Sequence, residues 1–318
     1  MYVLRGASRP LPWPTVLTIG NFDGVHRGHH ALLARLREVA AQAGGDEAQR
    51  LRSAVLTFEP HPREYFTPQT TPARLSSLRE KLELIAADAV EVTCVCRFNA
   101  AFAALSAEEF ISRILVRALR VKHLIVGDDF RFGADRRGDF ALLERAGADA
   151  GFTVEALPEV TVGGARVSSS AVRLALAEGD LEGASRLLGR PYVLCGRVVR
   201  GASLGRQLGF PTANIHMKHE RSPFAGVFVV EVTGLEEGGH PLPLPGVANL
   251  GYRPSLDRKT TRPVLEVHLF DFDRAIYGAH LNVRLLHKLR DEMKFPDLAA
   301  LKAQIARDVE DARRYFRV

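Results

Sequence analysis

The pattern of hydrophobic residues changes at Gly189-Arg190-Pro191. Before this point, apolar strand-like runs alternate with amphipathic helical stretches, which predicts an α/β domain with a mostly parallel sheet. After it, short strand-like runs follow at near-regular spacing with Gly, Pro and Asn between them, which predicts an antiparallel barrel of about six strands. We therefore divide the chain into an α/β domain over residues 1–186 and a β-barrel domain over residues 187–318.

The predicted elements follow from apolar periodicity. Strands of the first domain are predicted over residues 15–19, 54–58, 91–96, 123–127 and 152–155. A helix is expected around Leu75, Leu78, Leu82 and Ile85, and a capping box at Ser106 and Glu109 opens another that runs to Leu119. A short helix over residues 181–188 is predicted to end at the domain boundary. Strands of the second domain are predicted over residues 192–199, 212–216, 227–232, 246–250, 264–272 and 281–286, followed by a helix over 297–315.

Composition excludes some classes of protein. The chain has 318 residues, 46% of them hydrophobic and 25% charged, which is typical of a globular protein of two domains. No apolar run reaches eighteen residues and the N-terminus lacks a signal pattern, so neither a membrane span nor export is expected. Cys94 and Cys96 are two apart in a strand-like run, which favours buried thiols in a reducing cytoplasm over a metal or redox site.

The net charge of +6 lies in the second domain. Residues 187–318 contain 20 Lys and Arg against 14 Asp and Glu, whereas the two signs balance in residues 1–186. A basic domain attracts polyanions. Because the chain has neither a dense Lys/Arg block nor a ribbon of stacking aromatics, we favour a small polyanion such as ATP over nucleic acid.

A glycine-rich stretch joins the first predicted strand to a helical pattern, and it reads Gly20-Asn21-Phe22-Asp23-Gly24-Val25-His26-Arg27-Gly28-His29-His30. Free N–H groups and the helix dipole at such a turn attract phosphate. His26 and His29 share one face if the turn is already helical. The alternative is two ordinary surface histidines beside a turn. Neither of the two commonest nucleotide-binding loops is present.

Three further segments carry polar residues at element ends. Glu59-Pro60-His61-Pro62 and Asp128-Asp129-Phe130 follow predicted strands, where open α/β sheets bind ligands. Ser169 and Ser170 precede a predicted helix that contains Arg173, an arrangement that suits phosphate. The alternatives are a strand terminator, an acidic turn and a simple N-cap, respectively.

The second domain has chemistry of its own. A long glycine-rich loop ends in Gly205-Arg206-Gln207-Leu208-Gly209-Phe210-Pro211-Thr212-Ala213-Asn214. Thr212 and Asn214 project from one strand face, where their oxygens suit Mg²⁺ with ATP phosphates. Glu266 faces away from the apolar residues on either side of it and could act as a general base. From its own segment alone, the default interpretation of Glu266 is a solvent-facing strand residue.

These motifs resemble those of the bifunctional prokaryotic riboflavin kinase/FAD synthetase family. Gly-Asn-Phe-Asp-Gly-Val-His-Arg-Gly-His is similar to the His-x-Gly-His signature of its Rossmann-like nucleotidyltransferase domain, and Gly-Phe-Pro-Thr-Ala-Asn is similar to its kinase signature. The Asn249-Leu250-Gly251 and Arg290-Asp291-Glu292 segments match as well. Ser255 and Asp291 depart from the usual pattern without removing an expected catalytic group.

The resemblance implies roles for individual residues. Expected catalytic groups are Glu266 for the kinase and His26, His29 and Arg173 for the adenylyltransferase, with Thr212 and Asn214 as ligands of Mg²⁺. Expected flavin-binding residues are Pro60, His61, Pro62, Asn249, Gly251, Arg290 and Glu292. Expected nucleotide-binding residues are Gly20, Asn21, Phe22, Asp23, Gly24, Gly28, Asp128, Asp129, Phe130, Ser169, Ser170, Gly205, Gly209 and Pro211.

The implied activity has two steps. Riboflavin is phosphorylated to FMN with ATP, and FMN is adenylylated to FAD with release of pyrophosphate. The expected partners are riboflavin, FMN and ATP, with no nucleic acid and no membrane, and the oligomeric state is open. Three alternatives remain from the residues: a nucleotidyltransferase whose barrel merely binds flavin, an RNA-binding protein and a non-catalytic flavin carrier.

Overall fold

The structure is a computed structural model that describes residues 1–43, 49–201, 204–218, 221–235, 243–254 and 261–317. It divides into two compact units, Met1–Pro72 with Leu78–Ser168 and Ala73–Ser77 with Ser169–Val318. Within the described ranges, no helix is both long enough and apolar enough to span a membrane.

The first unit is built on a six-stranded parallel sheet. Its strands are β1 (Tyr2–Arg5), β2 (Thr15–Ile19), β3 (Arg52–Glu59), β4 (Val92–Arg97), β5 (Val121–Gly127) and β6 (Thr153–Leu157), in the spatial order β1-β4-β3-β2-β5-β6. The strand order reverses beside β2, between its neighbours β3 and β5. Residues that follow β2 therefore lie at the topological switch point, where sheets of this kind bind ligands.

Helices cover both faces of this sheet. They are α1 (Arg27–Gln42), α2 (Pro62–Phe66), α3 (Leu78–Ala87), α4 (Ala100–Ala103), α5 (Ala107–Glu109), which continues as the π-helix Phe110–Ala118, and α6 (Phe140–Ala150). A 3₁₀ turn Ala134–Arg136 and a small hairpin, β7 (Thr161–Val162) with β8 (Ala165–Arg166), complete the unit. Side chains alternate across a strand, so Val16 packs in the core beside α1 and Leu17 packs in the core on the π-helix side.

The second unit contains a closed antiparallel barrel. Its strands are β9 (Val193–Val199), β10 (Ala213–Met217), β11 (Gly226–Thr233), β12 (Leu244–Pro254), β13 (Thr261–Leu269) and β14 (His280–Arg290), in the order β10-β13-β12-β11-β14-β9. Ile215, Leu265 and Val267 point into the interior core. Val229 and Val247 point outward and pack with Ala312 of the last helix. Part of the outer face of the barrel is therefore covered by a helix.

The helices of the second unit are α7 (Ser169–Ala177), α8 (Leu181–Leu188), α9 (Leu204–Leu208) and α10 (Leu298–Phe316). Leu176 of α7 and Leu188 of α8 belong to the same core cluster as the barrel interior, and so does Leu75. The hydroxyl of Tyr192 donates to the carbonyl of Leu75 at 2.9 Å. The division at residues 186 and 187 stays a prediction. The helix α7, which precedes it, and the helix α8, which spans it, both belong to the second unit.

The predicted fold class is confirmed, with several differences in detail. The strand β1, the hairpin β7–β8 and the helix α9 inside the glycine-rich loop were not predicted. Leu75 lies outside α3, and Ser169 and Ser170 lie in the first turn of α7 and not before it. Cys94 and Cys96 are buried free thiols, as predicted. Ala202, Ser203 and Ser255 lie outside the described residues.

Candidate functional sites

Two histidines close the N-terminus of α1. His26 is the N-cap, and its Nδ1 accepts from the backbone N–H of His29 at 3.4 Å, while the Nδ1 of His29 accepts from the N–H of His26 at 3.3 Å. The two imidazole rings stack with centroids 3.7 Å apart, and Phe22 packs on His29 at 4.8 Å. The predicted pair is thus brought together by a reciprocal capping box.

This capping box determines which ring nitrogens carry protons. Each Nδ1 accepts from a backbone N–H, so each neutral ring carries its proton on Nε2. Burial lowers the pKa of His29 well below its ordinary value, and the positive charges of His26, His30 and Lys81 lower that pKa further. The His29 ring is therefore neutral near pH 7 and has one N–H group to donate.

Buried polar side chains of β3 and α3 are hydrogen-bonded in series to the backbone of the same turn. The hydroxyl of Thr57 on β3 donates to the carbonyl of Asn21 at 3.3 Å, and Lys81 Nζ donates to that hydroxyl at 3.5 Å. Lys81 is only 4% exposed. The Oδ1 atom of Asn21 is buried without a hydrogen-bond partner among the described residues. A buried acceptor of this kind needs a donor, and a bound ligand can supply one.

An aromatic cavity of about 880 Å³ opens beside this turn. Phe98 lies at the centre of a group of aromatic rings in the cavity wall. Its ring centroid lies 5.6 Å from those of Phe66 and Phe102 and 5.8 Å from that of Phe58. The charged side chains that line the cavity are Arg63, Arg131, Arg136, Asp129 and Asp135. This combination suits a ligand with a flat ring system and an anionic tail.

The predicted loop residues of this unit divide between the cavity and its surroundings. Those that line it are Gly20, Asn21, Pro62, Asp129 and Phe130. Pro60, His61, Asp128 and the remaining turn residues Phe22, Asp23, Gly24 and Gly28 do not line it. His61 is the N-cap of α2, where its Nδ1 accepts from the N–H of Arg63 at 3.0 Å. Asp129 accepts from Arg166 at 3.1 Å.

Ser169, Ser170 and Arg173 all lie on α7 in the second unit. The Nε atom of Arg173 donates to the carbonyl of Ala73 at 2.6 Å. This contact ties α7 to the upstream segment Ala73–Ser77, which belongs to the same unit.

Three polar side chains form a row across adjacent strands of the barrel. Glu266 on β13 is in register with Asn214 on β10 on one side and with Asn249 on β12 on the other. Residues in register on neighbouring strands point to the same face. The row lies on the outer face, because Leu265 and Val267 fill the interior.

A second cavity of about 310 Å³ opens on this outer face. Its walls come from β12, β13, the region of α9, the segment after β14 and the face of α10. The predicted residues that line it are Gly205, Thr212, Asn249, Gly251, Glu266, Arg290 and Glu292. Gly209, Pro211 and Asn214 are not among its lining residues. Seven predicted residues from four separate segments thus meet at one cavity.

Two glycines pack against the predicted metal-binding residues. A Cβ on Gly201 would lie 2.4 Å from Cγ of Asn214, and one on Gly205 would lie 3.0 Å from the hydroxyl oxygen of Thr212. His268 Nδ1 donates to the carbonyl of Pro211 at 2.8 Å and so fixes the residue before Thr212. Within the described ranges, no cluster of three or more His, Cys, Asp and Glu is arranged to hold a metal.

The remaining predicted residues of the barrel lie close to one another. A Cβ on Gly251 would lie 1.9 Å from a carboxylate oxygen of Glu292 and 3.3 Å from the amide nitrogen of Asn249. Glycine is therefore needed at position 251 for the Glu292 carboxylate to lie where it does. Arg290 donates to Asp308 of α10 from Nε at 2.9 Å and from Nη2 at 2.7 Å.

Sequence reasoning missed Lys81, His268, Asp308 and the phenylalanines of the first cavity other than Phe130. Phe58 and Phe98 lie at or just beyond the carboxyl ends of β3 and β4. Aromatic residues that recur at strand ends were a usable signal. Lys81 reads as a surface residue of an amphipathic helix, and nothing local predicts its burial.

Comparison with known proteins assigns each part of the chain. Residues 9–171 match the family model described as FAD synthetase, and residues 188–316 match the one described as riboflavin kinase. The bifunctional riboflavin kinase/FMN adenylyltransferase of Escherichia coli K12 is 51% identical over 95% of this chain and 92% of its own. That of Pseudomonas fluorescens is 49% identical over 98% of this chain and 97% of its own.

A solved structure shares the fold over almost the whole chain. The crystal structure of a macrolide-efflux protein from Streptococcus pneumoniae has a TM-score of 0.79 and 27% identity, and covers 98% of this chain and 99% of that one. Both family models are matched in the order that the predicted fold requires. The chain therefore belongs to the bifunctional riboflavin kinase/FMN adenylyltransferase family and is an enzyme with a domain for each activity.

Proposed function

We propose that the cavity of the barrel is the site of riboflavin phosphorylation, and that the capped turn with its aromatic cavity is the site of FMN adenylylation. The observation that carries the kinase assignment is the row Asn214–Glu266–Asn249, which places the Glu266 carboxylate on the face that opens into the cavity. The family models support the same division of the chain.

At the kinase site, Glu266 orients the terminal ribityl hydroxyl of riboflavin and takes its proton. The hydroxyl oxygen attacks the γ-phosphorus of ATP, the bond from that phosphorus to the bridging oxygen breaks, and ADP leaves. Asn249 and Glu292 lie together beside Gly251 and offer the flavin hydrogen-bonding groups. Gly209 and Pro211 keep their predicted role in holding ATP as part of the segment that precedes Thr212.

The oxygens of Thr212 and Asn214 fit a magnesium ion brought with ATP. Hydroxyl and carboxamide oxygens are ligands that Mg²⁺ accepts, and Mg²⁺ is usually held by few protein groups together with phosphates. Glycine at positions 201 and 205 lets the side chains of Asn214 and Thr212 lie where they do, because a Cβ at either position would clash with them. When bound, the ion supplies charge neutralisation for the phosphates. Thr212 and Asn214 would hold it, and His268 keeps the backbone before Thr212 in place.

At the adenylyltransferase site, the chemistry needs no general base. An anionic oxygen of the FMN phosphate attacks the α-phosphorus of ATP, the bond to the β-phosphate oxygen breaks, and pyrophosphate leaves. His26 and His29 each donate from Nε2 to phosphate oxygens as negative charge develops. Because both Nδ1 atoms are held by backbone N–H groups, these donors are oriented before the substrate binds.

The aromatic cavity of the first unit receives the flavin ring of FMN. Phe58, Phe98 and Phe102 supply flat apolar walls, and Arg63 and Arg131 supply positive charge for the phosphate. Asn21 offers a buried acceptor to the amino or hydroxyl groups of the nucleotide. Phosphate contacts by Ser169, Ser170 and Arg173 and nucleotide contacts by Asp128 and Phe130 stay predictions, as does the cytoplasmic location.

The test is a pair of substitutions in the full chain. Glu266→Gln should lower FMN formation from riboflavin at least about 100-fold, because it removes the proton acceptor, and should leave FAD formation from supplied FMN intact. His29→Ala should lower FAD formation from FMN by about 100-fold and leave FMN formation intact. Both rates are measured by chromatography of the flavins with saturating ATP and Mg²⁺.

Matched controls change a glutamate and a histidine that the proposed mechanism does not use. Glu310→Gln removes a carboxylate that is exposed on α10 and paired with Arg314, and His30→Ala removes an imidazole that contacts Asp88. Both controls should retain most of both activities. Loss of both activities in either test variant, with the fold intact by circular dichroism, would contradict the proposed division of labour.

A further inference from the structure

The last helix carries one buried charge. The apolar face of α10 packs Val309, Ala312 and Phe316 against the outside of the barrel. Asp308 lies on the same side of the helix and is only 5% exposed. A buried carboxylate is costly unless it is paired and hydrogen-bonded, so the partners of Asp308 are informative.

Asp308 is fully paired. Arg290, the last residue of β14, donates to it from two nitrogens, and Gln304 Nε2 donates to Oδ1 at 2.8 Å. The third guanidinium nitrogen of Arg290 donates to the carbonyl of Asp291 at 2.9 Å. The guanidinium carbon also lies 5.8 Å from the ring centroid of Phe295. One planar group thus joins β14, α10 and the segment between them.

That segment forms a wall of the barrel cavity. Glu292, Met293 and Phe295 line the cavity together with Arg290 and Asp308 themselves. Met293 is 56% exposed, so burial does little to hold it in place. The contacts of Arg290 therefore have a large share in holding this wall.

A second ion pair joins the same helix to the barrel at another place. Arg313 donates to both carboxylate oxygens of Asp271, at 3.1 and 2.8 Å, but the Asp271 side chain is 79% exposed and neither residue lines the cavity. Exposed pairs of this kind contribute little to stability. The Arg313–Asp271 pair therefore has the same chemistry as the Arg290–Asp308 pair and involves the same helix, but it lies away from the cavity and can serve as a control.

We propose that Asp308 is a positioning residue for riboflavin phosphorylation, which holds the Arg290 guanidinium so that residues 291–295 form the wall against which riboflavin binds. This inference rests on the proposed kinase site. Arg290 then serves the flavin chiefly through the wall that it fixes, because three of its donors are used within the protein.

The test is steady-state kinetics of Asp308→Asn in the full chain, with riboflavin and ATP varied in turn. Asparagine keeps the size of the side chain but leaves the Arg290 charge unpaired, so we expect the KM for riboflavin to rise at least about tenfold. The KM for ATP should stay within about twofold, as should FAD formation from supplied FMN. A merely destabilised unit would lower kcat through fewer active molecules and would leave KM unchanged.

Asp271→Asn is the control, and it should leave the KM for riboflavin within about twofold of the wild type. An unchanged KM for riboflavin in Asp308→Asn, or an equal rise in Asp271→Asn, would overturn the proposal. If Asp308→Asn fails to fold, Arg290→Lys, which keeps the charge and loses the two-point contact, takes the same test. If Glu266→Gln still phosphorylates riboflavin, the kinase site itself is misassigned, whereas failure of Asp308→Asn alone overturns only this inference.

Discussion

His26 and His29 serve structure and chemistry with different atoms. Their Nδ1 atoms accept from backbone N–H groups at the start of α1, and the proposed reaction uses their Nε2 atoms to donate to the substrate. Two stacked imidazoles 3.7 Å apart cannot both be charged without strong repulsion. The lowered pKa of His29 keeps that ring neutral near pH 7. His29 therefore acts as a neutral donor and not as a cation.

This lowered pKa has a consequence for stability. An unfolded histidine takes up its proton near pH 6.5, whereas folded His29 does so only at a lower pH. Between the two values the unfolded state binds more protons, so the free energy of unfolding falls as pH falls below about 6.5. Glutamine at position 29 does not titrate, so in His29→Gln this loss of unfolding free energy at low pH should disappear. The loss due to His29 amounts to at most about 1.4 kcal/mol per pH unit.

Urea unfolding at pH 7.5 and 5.5 measures this effect. Trp13 is the single tryptophan of the chain and lies in the first unit, so its fluorescence reports on the unit that contains His29. If the free energy of unfolding of His29→Gln decreases between pH 7.5 and 5.5 as much as that of the wild type, the pKa of His29 is not lowered in the folded protein.

At the scale of elements, α10 closes the barrel cavity and its N-terminus is well capped. Asp297 precedes the helix and its Oδ1 accepts from the N–H of Ala300 at 2.8 Å. The negative charge also faces the positive end of the helix dipole. The first turns of α10 carry Leu301 and Ile305 into the cavity wall. The cap therefore stabilises part of the wall of the proposed kinase cavity.

Removing this cap should loosen the start of α10. We expect Asp297→Ala to cost about 1 kcal/mol of helix stability and to speed amide hydrogen exchange in the first turns of α10 about fivefold. Peptides from α6 provide the internal reference. Asp297→Asn, which keeps the acceptor, should exchange more nearly like the wild type. Equal exchange in Asp297→Ala and the wild type would show that the cap does not limit local opening.

Much of the fold could be predicted because its signals are local. Periodicity predicted the parallel sheet and the barrel, and it placed Asn214, Glu266 and Asn249 in strands that the structure brings together with these side chains in register. Thr212 was predicted in the same strand as Asn214 but lies just before β10. The contacts of Lys81 and Asp308 could not be predicted, since each contacts residues distant in sequence or across a loop. Helical spacing alone cannot distinguish a buried charge that has a partner from a solvated one.

At the scale of the whole molecule, the two cavities have separate lining residues, and each cavity is lined by residues of one compact unit. The single-activity and carrier alternatives do not fit a chain that matches both family models over most of its length. Separate sites imply that loss of one should leave the other able to act on a substrate supplied from outside.

Mixing two inactivated variants tests this independence. Equimolar His29→Ala and Glu266→Gln with riboflavin, ATP and Mg²⁺ should form FAD after a lag, because FMN made by one molecule must reach another. Each variant alone should form little FAD from riboflavin. If the riboflavin is isotopically labelled, an excess of unlabelled FMN should lower the amount of label that reaches FAD in the mixture. Absence of FAD from the mixture, with each remaining activity intact, would show that FMN does not leave the molecule in which it forms.

The second unit is assembled from two stretches of chain, because residues 73–77 pack with α7, α8 and the barrel although the rest of that unit begins at Ser169. A gene cut at one place between the two activities would not yield two whole products. A break before residue 187 removes α7, α8 and the Leu75 segment from the barrel core. A variant with one activity is therefore obtained more readily by a point substitution in the intact chain than by cutting the chain in two.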